Sequence, residues 1–221
     1  MATRGRPRSF DRGEALRKAV EVFWDRGYDG ASMADLTRAM GINSPSLYAA
    51  FGSKAALFRE VVDLYVATEG ASGRRALDEG TAREAIRGML RSTAEGLTAA
   101  GKPHGCMIVL GRCQAGAPDA GDGPELDALL RARRGRTLED LRGRLRRAVD
   151  EGDLPPGADV EGLTAFYATV LQGMSLRARD GASRAELLGI AESAMAGWDA
   201  LLRPRTAGRG VARGRSKHEA R

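Results

Sequence analysis

Cysteine and histidine are nearly absent from this chain of 221 residues, and long apolar runs are missing altogether. The two cysteines, Cys106 and Cys113, would stand about 10 Å apart on a shared helix, which excludes a disulfide between them and points to reduced thiols. His104 and His218 are the only histidines. No Ser-His-Asp order, phosphate-binding loop or paired-carboxylate context accompanies them, so catalysis is not expected. His104, Cys106, Met107 and Cys113 place soft metal ligands close in sequence, but their spacing fits no tight zinc pattern. No metal and no cofactor is therefore assigned. With no run of roughly eighteen apolar residues and no apolar leader ending in a cleavage site, neither a membrane span nor secretion is expected, and a cytoplasmic location follows.

Positive charge is plentiful but unevenly placed. The formal net charge is +6, and residues 203–221 alone carry seven bases against the single acid Glu219. Residues 1–60 hold ten bases and seven acids, so the middle of the chain is mildly acidic. A basic head and a basic tail of this kind suit a polyanionic partner, with the location of the charge more informative than its total.

Apolar spacing predicts helices nearly everywhere, which makes the fold class all-α. Asp11 and Glu14 form a capping-box pattern ahead of Leu16, Ala19, Val20 and Phe23, and Gly27 is expected to stop that helix. Ser53 is placed to cap a helix through Leu57, Phe58, Val61, Val62 and Tyr65. Thr81 with Glu84 opens another, carrying Ala85, Met89, Leu90 and Leu97. The apolar run Cys106–Cys113 reads as a short buried helix, and residues 125–150 as a long amphipathic one with a basic face. Asp159 precedes a helix with Leu163, Phe166, Tyr167, Val170, Leu171 and Met174. Ser183 and Glu186 open a last one through Leu201, making about nine in all. Past Pro204 the composition turns to Arg, Gly and Ser, and disorder is expected.

The densest information lies between Ser32 and Lys54. Ser32 and Asp35 form a capping box, Leu36, Ala39 and Met40 one apolar stripe, and Gly41-Ile42-Asn43 a turn. Asn43 is placed to cap the next helix. Pro45, in that helix's first turn, gives up an N–H that would lack an intrahelical partner anyway. This second helix, Ser44 to Phe51, is too short to persist alone, so Leu47 and Phe51 must anchor it. A helix, a tight turn and a second short helix are a common means of inserting a helix into the major groove of DNA. Ser44, Pro45 and Ser46 then occupy the start of the recognition helix, where the serines would meet base edges and Pro45 a thymine methyl. Ser32 and Thr37 are candidates for backbone contacts from the preceding helix.

The ordered run Phe23, Gly27-Tyr28, Ser32-Met33-Ala34-Asp35-Leu36, Gly41-Ile42, Leu47-Tyr48, Phe51, Lys54 and Leu57-Phe58 resembles the DNA-binding domain of TetR-type transcriptional regulators. One departure is Ala49-Ala50, where many relatives carry a histidine or another polar residue. The resemblance implies an N-terminal three-helix helix-turn-helix domain and a C-terminal helical bundle that binds an effector and dimerises. The divisions expected are 1–52, 53–203 and a basic tail, 204–221. Tyr48 and Lys54 would contact phosphates. A small-molecule cavity among the central helices is implied, with Leu90, Leu97, Leu110, Phe166 and Tyr167 as candidate walls. The last two helices would form a homodimer interface, with Phe166, Val170, Gly173, Met174, Leu187, Ile190, Ala194 and Trp198 as candidates. The small residues Gly162, Ala165, Thr169 and Gly173 also allow close helix approach there.

A dimer places two recognition helices on a two-fold operator, so the expected function is a ligand-released repressor binding double-stranded DNA. Three other readings compete: a copper- or zinc-responsive regulator, a non-specific basic DNA-coating protein, and a ligand-binding module whose DNA unit has lost its function. Arg4, Arg6 and Arg8 form a polar arm that either lies in a neighbouring minor groove or is merely solvated. The C-terminal tail lacks aromatic residues for base stacking, so it adds salt-sensitive, sequence-blind affinity at most. Deleting residues 208–221 is therefore expected to weaken non-specific DNA binding while leaving the preferred sequence intact; a changed binding motif would refute this assignment.

Overall fold

Caps at the front of apolar runs divide the chain into helices. The computed structural model describes residues 10–78, 80–112 and 121–203; Arg4, Arg6, Arg8, Cys113 and the tail beyond Arg203 lie outside the described residues. The N-terminal elements are α1 (Arg12–Gly30), α2 (Met33–Met40), α3 (Ser44–Phe51) and α4 (Lys54–Thr68). There follow α5 (Ala71–Ala76), α6 (Ala82–Leu97), α7 (Met107–Leu110) and α8 (Gly123–Asp150). The chain closes with α9 (Val160–Arg179), α10 (Arg184–Ala196) and α11 (Trp198–Leu201), and no strand occurs among the described residues.

Most expected boundaries hold, and the exceptions have local causes. Full capping boxes form at Ser32–Asp35, Thr81–Glu84 and Ser183–Glu186. Asp11 accepts from the Glu14 amide at 3.0 Å, but the Glu14 side chain pairs with Lys18 at 2.9 Å, one turn on. Gly27 stops the first helical segment as expected, at φ 69° and ψ 177°, but helical geometry resumes beyond it as far as Gly30, so α1 is one element with a break. The short α5 has no side-chain cap and left no pattern to read. The final helix divides at Gly197 into α10 and α11.

Two apolar cores result. One joins α1 to α4 and adds Met107, Ile108, Leu126 and Leu130 from α7 and α8. Leu57, Phe58, Val61, Val62 and Tyr65 of α4 all belong to it, with Phe58 packed edge-on against Phe23 and Tyr28 at ring separations of 5.1 and 5.2 Å. The other gathers α6, α8, α9 and α10 around Leu90, Leu141, Leu145, Tyr167, Met174 and Leu187. Burial pushes the Tyr167 phenol up to about 12.

The two cores meet at the broken end of α1. The Tyr28 amide donates to the Gly111 carbonyl at 2.9 Å, and the Trp24 indole to the Gly105 carbonyl at 2.6 Å. Arg179, at the end of α9, reaches the Asp25 and Trp24 carbonyls at 2.6 and 2.7 Å. Gly27 is what lets the chain turn here. A Cβ at this position would lie 2.9 Å from the Gly111 oxygen, on a backbone already left-handed. Gly27→Ala is expected to cost about 1–3 kcal/mol, lowering the thermal midpoint by roughly 2–12 °C; an unchanged midpoint in calorimetry would show that the junction does not constrain this residue.

Candidate nucleic-acid interface and central cavity

The helix-turn-helix is assembled by local bonds. The Ser32 hydroxyl donates to the Asp35 carboxylate at 2.6 Å and accepts from the Asp35 amide at 3.1 Å. That hydroxyl first, and the Ser32 amide second, hold the Asp35 carboxyl below its ordinary range. Asp35 also receives Arg26 at 2.8 Å, which joins α1 to α2. Gly41 closes α2 in the left-handed conformation at φ 68°, with the Ile42 amide returning to the Thr37 carbonyl at 3.1 Å. Asn43 then caps α3 by accepting from the Ser46 amide at 2.8 Å.

Leu47 is wholly buried and Phe51 nearly so, which fixes the opposite face of α3 outward. Arg12 secures the end of α3: its guanidinium lies 4.3 Å above the Phe51 ring, donates to the Ala50 carbonyl at 3.3 Å and pairs with Glu60 at 2.7 Å. Ser44, Pro45 and Ala49 are exposed, Ser46 is half-buried, and Tyr48 is 50% exposed. These residues share one accessible face.

The remaining DNA-contact candidates are placed less simply. Ser32 is exposed, but the capping box takes its only hydroxyl proton. Thr37 is half-buried and donates to the Met33 carbonyl at 2.9 Å. Both hydroxyls are thus engaged within α2 itself. Lys54 is half-buried with its ammonium 4.4 Å above the Tyr28 ring, an attraction that holds a cation beside the positive end of α4.

A cavity of about 260 Å³ opens among α4, α5, α6, α8 and α9, with Trp24 of α1 and the segment around Cys106 completing its wall. Of the five expected wall residues Leu97 alone lines it. Leu90 and Tyr167 are spent in the C-terminal core, Leu110 packs beside Gly105, and Phe166 lies on the outer surface at 38% exposure. Trp24 reaches the cavity from a helix expected to belong to the DNA-binding unit, and Tyr65 from the helix that follows that unit, so neither stands among the expected wall residues. Tyr65 accepts from the Met107 amide at 3.3 Å, while burial first and neighbouring Cys106 second push its phenol well up. Among the described residues no group of three or more His, Cys, Asp or Glu side chains could hold a metal ion.

The outer face of α9 and α10 also differs from expectation. Met174, Leu187, Ala194 and Trp198 are buried within this single chain and belong to its C-terminal core. The reason is that α9 packs against α6, α8 and α10, which consumes its most apolar side. Val170 and Ile190 are half-buried, and Phe166 and Gly173 face outward. Beside them stand Ala165, Thr169 and Leu176, the last 52% exposed.

Residues 15–61 match the model of bacterial regulatory proteins of the tetR family. The chain is 36% identical over 203 residues to the HTH-type transcriptional repressor ComR of Escherichia coli, covering 91% of this chain and 95% of that one. The chain belongs to the TetR family. It is 35% identical to a second Escherichia coli protein, the HTH-type transcriptional repressor BdcR, over 87% of this chain and 90% of that protein. The regulator CifR, solved with a 26-base-pair double-stranded operator, is 45% identical and superposes with a TM-score of 0.83 over 88% of this chain and 100% of its own. This chain is accordingly a DNA-binding transcriptional regulator of the TetR family, with α2 and α3 as its helix-turn-helix.

Because α3 has eight residues, its cap should matter more than a cap usually does. Asn43→Ala is expected to cost about 1 kcal/mol of stability and to speed hydrogen exchange of the α3 amides, whereas Asn43→Asp, which keeps the acceptor, should do neither. Equal protection of α3 in the alanine variant would contradict the role given to the cap.

Proposed function

We propose that this regulator is a homodimeric repressor that occupies a palindromic operator in its effector-free form and leaves it when a small molecule fills the central cavity. The observation that carries this reading is the outward face of α3, held from behind by Leu47, Phe51 and Arg12. Two such faces, related by a two-fold axis and about one DNA turn apart, would enter successive major grooves. Ser44, Pro45 and Ser46 would meet base edges, with Ala49 adding an apolar contact. Tyr48 would donate to a phosphate, and Lys54 would sit near the backbone as a charge. The arm bearing Arg4, Arg6 and Arg8 would add affinity along the adjacent minor groove.

The dimer surface in this reading is the outer side of α9 and α10: Phe166, Gly173 and Leu176, bordered by Ala165 and Thr169. Small residues allow close approach, and two large exposed apolar side chains give the patch a reason to be covered. The relatives named as repressors support the sign of regulation, and the CifR complex supports the mode of DNA engagement. A regulator acting on DNA in this way works in the cytoplasm and performs no catalysis. No helix among the described residues is long and apolar enough to cross a membrane.

Selection of bound sequences from a random duplex pool should return a palindrome whose half-sites are spaced for two α3 helices. Tyr48→Phe should weaken binding to that palindrome roughly 5- to 150-fold by loss of one hydrogen bond at each of the two half-sites, with the thermal midpoint unchanged because the side chain is exposed. Diffuse enrichment would instead favour a sequence-blind coat, and no enrichment a module without DNA function.

A further inference from the structure

The charges lining the central cavity are balanced, with one half-buried exception. Glu69 is matched by Lys102 at 2.7 Å, Asp140 by Arg74 at 3.4 Å, and Arg133 by Asp63. Arg136 is exposed. Arg134 of α8 lines the cavity half-buried, and no carboxylate pairs with it among the described residues. It donates one hydrogen bond, from a terminal guanidinium nitrogen to the Ile108 carbonyl at 2.9 Å. Capping that carbonyl uses one of the five N–H donors of a group that remains charged at any working pH. The Ser92 hydroxyl of α6, also in the cavity wall, is buried without a hydrogen-bond partner among the described residues, and Val66, Leu77, Met89, Leu138 and Leu171 supply apolar wall. A guanidinium left unmatched beside an apolar cavity lacks the planar acceptor it pairs with best.

We infer that the effector is a compact organic monoanion, a carboxylate at the end of an apolar body, with the carboxylate on Arg134 and the body against the α6 and α9 walls. This rests on the effector-released reading and specifies its ligand. It also supplies a route to the DNA-binding unit. A carboxylate held by the remaining donors pulls on the same guanidinium that caps the Ile108 carbonyl, and so bears on α7, whose flanks hold α1 through Trp24 to Gly105 and Tyr28 to Gly111. Arg134 is thus the point at which ligand charge acts on the junction.

The test is calorimetric titration of the full-length protein, without DNA, against hexanoate, octanoate, phenylacetate, 1-octanol and octylammonium. At least one carboxylate should bind, octanoate about 10-fold or more tighter than octanol, since a charge-assisted pair separates them. Octylammonium should be rejected. Arg134→Gln should abolish the preference for octanoate over octanol while octanol binding persists, and Arg134→Lys, which keeps charge without the planar fork, should restore it in part. Thermal unfolding checks that each variant is folded; should Arg134→Gln fail to fold, the Arg134→Lys titration carries the comparison. The inference is overturned if no carboxylate binds up to millimolar concentration, if octanol or octylammonium binds as tightly as octanoate, or if a folded Arg134 variant keeps the full preference. Carboxylate binding that leaves operator affinity unchanged would instead defeat the release mechanism and leave the ligand assignment standing.

Discussion

The hydrogen bonds at the broken end of α1 are the constraint on which the rest of the molecule depends. Trp24 and Tyr28 reach the segment on either side of α7, and Arg179 at the end of α9 returns to the Trp24 and Asp25 carbonyls. The break at Gly27 frees carbonyls at the end of a helical segment, and a cation is well suited to that place because it satisfies orphan acceptors and opposes the negative end of the helix. The DNA-reading unit is thereby held at four points by elements that also line or adjoin the cavity. Its orientation relative to the C-terminal core is set by this junction rather than by a flexible link.

The same economy holds α3 in place. Eight residues do not form a stable helix by themselves, and α3 has no basic residue of its own in its last turn. Arg12, from the start of α1, supplies the missing cation, covers the Phe51 ring and satisfies the Ala50 carbonyl. Leu47 and Phe51 fill the inner face. What remains outward is a short rigid surface of small and hydroxyl-bearing side chains, which suits close approach to base edges better than long charged groups would. Ala49, also exposed, is the smallest side chain of this face.

The parts of this architecture that could be read in the sequence are those governed by rules spanning four residues. The Ser32–Asp35 box, the Asn43 cap and the anchors Leu47 and Phe51 follow from spacing alone and stand as expected. Glu14 shows the limit of such rules, since a lysine one turn later competed for it. Periodicity marks a helix as apolar on two sides without saying which side faces its own core, which is why Met174, Leu187 and Trp198 were assigned outward and lie inward. The cavity was harder still. Its wall joins Trp24 and Tyr65 to side chains from five other elements, and no local pattern encodes that meeting. Arg12 and Arg179 escaped notice for a related reason, because a long basic side chain carries no sign in sequence of the carbonyl it will reach.

The magnitudes at the junction limit how a small ligand could act in the proposed scheme. An effector shifts an equilibrium only by its differential affinity, and a coupling of 1–3 kcal/mol is typical. The bonds from Trp24 to Gly105 and from Tyr28 to Gly111 are neutral pairs, worth about 1 kcal/mol each. A ligand-induced shift of α7 could offset these two. It could not separate Phe23, Tyr28 and Phe58, where burial of each large side chain contributes about 1.5–3 kcal/mol, or remove Met107 from the N-terminal core. The movement available is therefore a rotation of the intact α1–α4 unit about the junction, with α3 keeping its place on that unit. In a dimer, such a rotation changes the separation and alignment of the two recognition helices without unfolding either, and two helices out of register with the grooves lose the cooperative contact that a single short helix cannot replace.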